Sequence, residues 1–178
     1  MDMTGERHIA ASRTQVWAAL NDVGVLKQCI PGCETLEKQS DTDMLARAKL
    51  QIGPVKATFN GKVKLSDLDP PNGYRISGEG NGGVAGYAKG GAVVRLADEG
   101  GGTLMTYEVK ADVGGKLAQL GGRLIDSTAK KLADEFFEKF TSIVGSSAPA
   151  APASTAPAAK KQRWFRRLLR RKDKRTAS

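Results

Sequence analysis

The stretch MLARAKLQIGPVKATFNGKVKL, residues 44–65, consists of two runs of alternating residues joined by Gly53-Pro54. Met44, Ala46, Ala48, Leu50 and Ile52 share one face of the first run, against Leu45, Arg47, Lys49 and Gln51. Val55, Ala57, Phe59, Gly61, Val63 and Leu65 share one face of the second, against Lys56, Thr58, Asn60, Lys62 and Lys64. Successive side chains of a strand point to opposite faces, so a period of two marks strands with one face buried and one wet. That is the pattern of antiparallel sheets.

The alternation continues downstream. After the turn Pro70-Pro71-Asn72-Gly73 come Tyr74, Ile76, Gly78 and Gly80, then Ala88, Gly90, Ala92, Val94 and Leu96. Met105, Tyr107, Val109, Ala111 and Val113 follow, and Gly114-Gly115 ends the sheet. Upstream, residues 3–10 read as a strand. Ser12 with Gln15 forms a capping box ahead of Val16, Trp17 and Leu20, so a short helix starts there. Residues 22–28 suit a second short helix, and Pro31-Gly32 marks a turn. Residues 116–144 are the one long helix, with Leu117, Leu120, Leu124, Leu132, Phe136 and Phe140 at helical spacing. Ile125, Phe137 and Ile143 widen that stripe, and Gly121-Gly122 interrupts it. Strands followed by one long helix predict an α+β fold, a curved antiparallel sheet wrapped around a helix. Residues 1–145 are read as one domain.

The inward side chains are small. Of the 25 inward strand positions named above, ten are Ala or Gly. Interiors pack to near crystal density, so a sheet this thin in side chains leaves room for an apolar guest. The competing explanation is that these residues permit sharp curvature or admit Phe136 and Phe137 closely. The expected cavity lining takes Ala46, Ala48, Leu50, Ala57, Phe59, Gly61, Tyr74, Ile76, Gly78, Ala88, Gly90 and Ala92 from the sheet. Met105, Tyr107 and Val109 join them, with Leu120, Leu124, Thr128 and Leu132 from the helix.

No catalytic constellation accompanies this lining. The inward positions contain no His, Asp, Glu, Lys or Cys, so neither an acid–base pair nor an activated nucleophile is expected there. The single histidine, His8, lies on the first strand. Gly82-Gly83 and Gly90-Gly91 fall within or between strands, not before a helix as a phosphate loop requires. Cys29 and Cys33, spaced C-x3-C, are read as free structural thiols at a turn, although a redox couple or half a metal site has the same spacing. The chain is expected to be a non-enzyme with no metal site.

The last residues carry the charge. Of 28 basic and 19 acidic residues, ten and one lie in residues 160–178, leaving residues 1–159 neutral with 18 of each. On a helical wheel Trp164, Phe165, Leu168 and Leu169 fall within an arc of roughly 140°, and Arg163, Arg166, Arg167, Arg170 and Arg171 fill the remainder. That pattern describes a helix lying in an anionic headgroup layer, and four apolar residues are far short of the roughly 20 needed to span one. A nucleic-acid arm would not need a continuous apolar stripe, so a membrane anchor is favoured over nucleic-acid binding or an idle terminus. Residues 146–159 hold seven Ala, three Pro, three Ser and one Thr, an uncharged tether of roughly 40 Å if extended. The N-terminal residues lack the apolar core of a leader peptide, so the cytoplasmic face of the cell membrane is the expected location.

Several segments carry a specific resemblance. Residues 29–34, CIPGCE, together with Ile52-Gly53-Pro54-Val55-Lys56, Phe59 and Gly61-Lys62-Val63, resemble the family of the carbon monoxide dehydrogenase G subunit. Leu120-Gly121-Gly122-Arg123-Leu124-Ile125 and Ala133-Asp134-Glu135-Phe136-Phe137 are similar too, as is the order of domain, Ala/Pro linker and basic end. The resemblance implies a START-like helix-grip fold (the SRPBCC superfamily) with a deep hydrophobic cavity. It also implies association with a molybdenum–flavin–iron-sulfur carbon monoxide dehydrogenase or a related molybdenum hydroxylase, of which the family is not the catalytic subunit. Joining cavity and anchor gives an expected role: binding an isoprenoid quinone, menaquinone or ubiquinone, and carrying it as electron acceptor between membrane and enzyme. Tyr74, Tyr87 or Tyr107 would hydrogen-bond a quinone carbonyl. The alternatives are a recruitment or assembly factor without transport, and a general lipid or fatty-acid carrier.

Overall fold

The computed structural model describes residues 1–147, so the linker from residue 148 and the anchor Arg163–Arg171 lie outside the described residues. Each alternating run becomes a strand. The order is β1 (Asp2–Ile9), α1 (Arg13–Leu20), α2 (Val23–Cys29), β2 (Cys33–Lys38), β3 (Asp43–Ile52), β4 (Val55–Asp69), β5 (Gly73–Asn81), β6 (Tyr87–Glu99), β7 (Gly102–Gly114) and α3 (Gly122–Ser147). The seven strands form one antiparallel sheet in the order β1-β7-β6-β5-β4-β3-β2, so β1 crosses to the far edge while the others meander.

Local chemistry sets the helix starts. Ser12 is the N-cap of α1, its hydroxyl accepting from the Gln15 backbone N–H while the Gln15 side chain accepts from the Ser12 N–H. Asp22 caps α2 by accepting from the N–H groups of Gly24 and Val25. Ser12→Ala removes half of the reciprocal pair and is expected to cost about 1 kcal/mol, read as a lower urea midpoint at unchanged slope.

Two elements differ from the sequence reading. Residues 33–38 hold a single buried apolar residue, Leu36, yet form the edge strand β2 beside β3. At the edge of the sheet the inward face of β2 is covered only at Leu36, with Lys38 exposed on that same face, so its alternation is weak. The long helix does not begin at Lys116: residues 115–120 form a 3-10 turn, and α3 starts at Gly122 and continues to Ser147. Gly121 makes the break at φ +88°, a conformation that costs glycine little and other residues more.

The core gathers at one end. Ile9, Val16, Cys29, Met105 and Phe140 are buried there, with Phe136 and Phe140 rings stacked 5.7 Å apart. Thr103, the one buried polar residue among the described residues, donates its hydroxyl to the Ala11 carbonyl at 2.7 Å. Every buried side chain described on α3 lies in its second half: Phe137, Phe140 and Val144. Between Gly122 and Leu132 none is buried.

Candidate functional site

The strand register explains why space remains. One rung across five strands reads Ala46–Gly61–Gly80–Ala88–Val113, and the next reads Met44–Val63–Gly78–Gly90–Ala111. Side chains on one rung stand beside each other on one face, so these two rungs, with Ala or Gly at seven of their ten positions, make a shallow trough between Met44 and Val63 on one side and Val113 on the other. Beyond the second of them, toward the β3–β4 turn, no inward residue of β3 to β7 is buried. The facing half of α3 is equally uncovered.

The trough leads into a cavity of about 290 Å³ under the second half of α3. Its sheet wall includes Ala46, Val63, Leu65, Tyr74, Ile76, Ala92, Val94, Met105, Tyr107 and Val109. Leu20, Leu26 and Ile30 close it from α1, α2 and the turn that follows, and Ala133, Phe136 and Phe137 roof it. Aromatic contacts stiffen this roof: Tyr107 stacks on Phe137 at 5.2 Å, and Phe136 meets Phe137 edge-on. Arg7, inward on β1, pairs with Asp134 of α3 and lays its guanidinium over the Phe137 ring, 5.2 Å from its centre. The edge strand is thereby clasped to the helix beside the cavity.

The lining is apolar but for two groups. Among its side chains only Tyr74 and Tyr107 carry polar atoms, and neither hydroxyl has a hydrogen-bond partner among the described residues. Neither hydroxyl oxygen is fully enclosed, and that of Tyr107 lies over Gly5 of β1. Burial pushes the Tyr74 pKa up, which keeps it protonated and able to donate. Trp17 meets the Tyr74 ring edge-on at 5.3 Å.

Of the expected lining residues, Ala46, Tyr74, Ile76, Ala92, Met105, Tyr107 and Val109 come together at this cavity. Ala48, Leu50, Ala57, Phe59, Gly61, Gly78, Ala88 and Gly90 face the same side but do not line it, because they lie along the trough toward the hairpin tips. Leu120, Leu124, Thr128 and Leu132 are likewise displaced, since they sit in the 3-10 turn or the first half of α3. Phe59 covers Gly82, and Leu124 sits on Gly53. Tyr87 is corrected: it points outward on β6, is 53% exposed and covers Gly114, so it has no route to the cavity. The glycines divide between the two explanations offered for them. A Cβ at Gly90 would strike the Lys110 carbonyl, so that residue serves the bend, whereas a Cβ at Gly80 would meet nothing within 4 Å.

A second depression, of about 850 Å³, crosses the outer face of the sheet. Its charges answer one another strand by strand, Lys62 beside Glu79 beside Lys89 beside Asp112, and do not converge on a point. Cys29 is buried and Cys33 half-buried, with burial raising both thiol pKa values, and neither lines the apolar cavity. Among the described residues no three His, Cys, Asp or Glu side chains gather to hold a metal ion. No described helix is long and apolar enough to cross a membrane.

The chain is similar in structure to a conserved protein from Geobacillus kaustophilus, at 30% identity and a TM-score of 0.78, covering 83% of this chain and 97% of that one. TTHA0849 from Thermus thermophilus is similar at 15% identity and a TM-score of 0.64, covering 84% of this chain and all of its own. The ZhuI aromatase/cyclase from Streptomyces sp. R1128 is similar at 13% identity and a TM-score of 0.59, with 84% and 96% covered. These likenesses establish the START-like helix-grip fold. Nothing among curated proteins matches the chain. The family model described as the carbon monoxide dehydrogenase G subunit (CoxG) matches residues 5–145, which is nearly the whole of the sheet and of α3. The chain belongs to the CoxG family, that of the carbon monoxide dehydrogenase G subunit.

Proposed function

We propose that this protein is a non-catalytic, membrane-associated accessory of a molybdenum-containing carbon monoxide dehydrogenase, or of a related molybdenum hydroxylase, and that it carries an isoprenoid quinone to it. Family membership supports the accessory role. The observation that carries the quinone reading is the cavity: apolar walls, two unpartnered tyrosine hydroxyls, and a trough of Ala and Gly leading out of it. About 290 Å³ is at the small end of ligand pockets, so it suits a ring and the start of its tail. The remainder of the isoprenoid would lie along the trough beneath the first half of α3. Moving that tail through water unprotected costs about 0.8 kcal/mol per exposed CH2, which is the physical reason for a carrier. Residues 160–178 supply the attachment to the cytoplasmic face of the membrane, and residues 148–159 the reach.

The binding test uses short-tailed quinones, which dissolve in water. Trp17 lies against a cavity-lining tyrosine, so saturable quenching of its fluorescence in a Trp164→Phe background is the expected result. Tyr107→Phe or Tyr74→Phe is expected to weaken the quinone by roughly 2- to 10-fold, the value of about 0.5–1.5 kcal/mol for one hydrogen bond. A ligand without carbonyls should be unaffected. Quenching that never saturates would contradict the reading.

A further inference from the structure

We infer that the rim at the hairpin-tip end of the sheet docks the folded body on an anionic lipid bilayer, with the trough opening toward the lipid. Its purpose rests on the quinone reading above; its geometry does not.

Three segments make that rim: residues 51–56 at the β3–β4 tip, residues 82–86 between β5 and β6, and residues 114–124 leading into α3. They are tied together, since Phe59 covers Gly82, Leu124 sits on Gly53, and a 3-10 turn at Gly83–Ala85 packs on the one at Gly115–Leu120. Together they hold Lys56, Lys116 and Arg123 and no carboxylate. None of the three cations is in an ion pair among the described residues. The acids nearest in sequence, Asp112 and Asp126, lie outside the three segments.

The apolar feature of the rim is Val84. It is 86% exposed at the tip of a turn held by Gly83 at φ +64° and Gly86 at φ +116°. A single exposed valine ordinarily needs no explanation. Here it shares a rim with three cations that are in no ion pair among the described residues, at the end of the sheet where the inward side chains are uncovered. Insertion of an apolar tip beside cations drawn to anionic headgroups is how peripheral proteins seat on a bilayer. An acidic protein surface would satisfy the cations but gains little from Val84, so the bilayer is the occupant that accounts for both.

The test uses the full chain with Val84→Cys and Cys33→Ser, labelled at residue 84 with an environment-sensitive fluorophore. Cys29 is fully buried and stays unlabelled. On vesicles of phosphatidylglycerol and phosphatidylcholine, a blue shift of emission and quenching by headgroup-proximal quenchers in the lipid are expected. Both should be lost in Lys56→Glu/Lys116→Glu/Arg123→Glu, while the chain still floats with the vesicles through residues 160–178. A label unchanged by vesicles, whether or not the chain floats with them, overturns the docking surface. So does a full response in the triple variant. An apolar cavity found to hold no quinone bears on the carrier reading alone and leaves this result standing.

Discussion

Ala92→Phe is expected to abolish quinone binding while leaving the fold intact. Ala92 lies on β6 between Ile76 of β5 and Val109 of β7, and all three face the cavity. A benzyl group there occupies the position proposed for the quinone ring. Displacing a buried group of that size forfeits about 1.5–3 kcal/mol, and overpacking a bound ligand adds about 1–3 kcal/mol. Affinity should therefore fall on the order of 100-fold or more. Stability should move little, because the new ring fills volume that the protein leaves free. Ala46→Phe, across the same cavity, serves as a second variant. Wild-type affinity in both would place the ligand elsewhere, whereas loss of the cooperative thermal transition would leave Ala46→Phe or smaller fillers such as Ala92→Leu to decide.

Ending the chain at Ser147 is expected to remove nearly all vesicle binding. The lost segment includes ten Lys and Arg against one Asp. Each basic residue close to an anionic leaflet contributes about 1 kcal/mol, so even half of them account for a change of several thousand-fold. The attachment should weaken as salt shortens the screening length from about 10 Å at 0.1 M to about 3 Å at 1 M. The rim around Val84 has only three cations and, on its own, should hold the body weakly and transiently. Flotation of the shortened chain equal to that of the full chain would show that the attachment lies in the body.

The sheet was legible because one face is wet and one is covered, which writes a period of two into β3 to β7. The capping box and the turns were legible for an equally local reason. Curvature is a different matter. It depends on how strands bend together, so a list of small inward residues does not distinguish Gly90, required by the bend, from Gly80, which borders open space. The same limit displaced the helix contribution. The stripe from Leu120 to Leu132 has the right spacing, but the helix is broken at Gly121 and bears on the cavity through Ala133, Phe136 and Phe137.

Other parts of the site depended on tertiary contacts alone. Leu20, Leu26 and Ile30 come from α1, α2 and the adjoining turn, where short apolar stretches look like ordinary packing. β2 was invisible because an edge strand with one covered residue carries almost no periodic signal. Arg7, an inward cation on a strand, reads as a break in the alternation until Asp134 and Phe137 are seen to receive it. The pairing of Tyr74 and Tyr107 in one apolar space follows from the register of β5, β6 and β7, which place them either side of Val94.

The most direct measurement is the identity of what the protein holds when purified from cells that make quinones. Organic extraction of the full chain followed by mass spectrometry is expected to release isoprenoid quinone in near-equal amount to the protein, and to release none from Ala92→Phe. Fatty acid or phospholipid in its place, or an extract with no apolar molecule at all, would contradict the carrier.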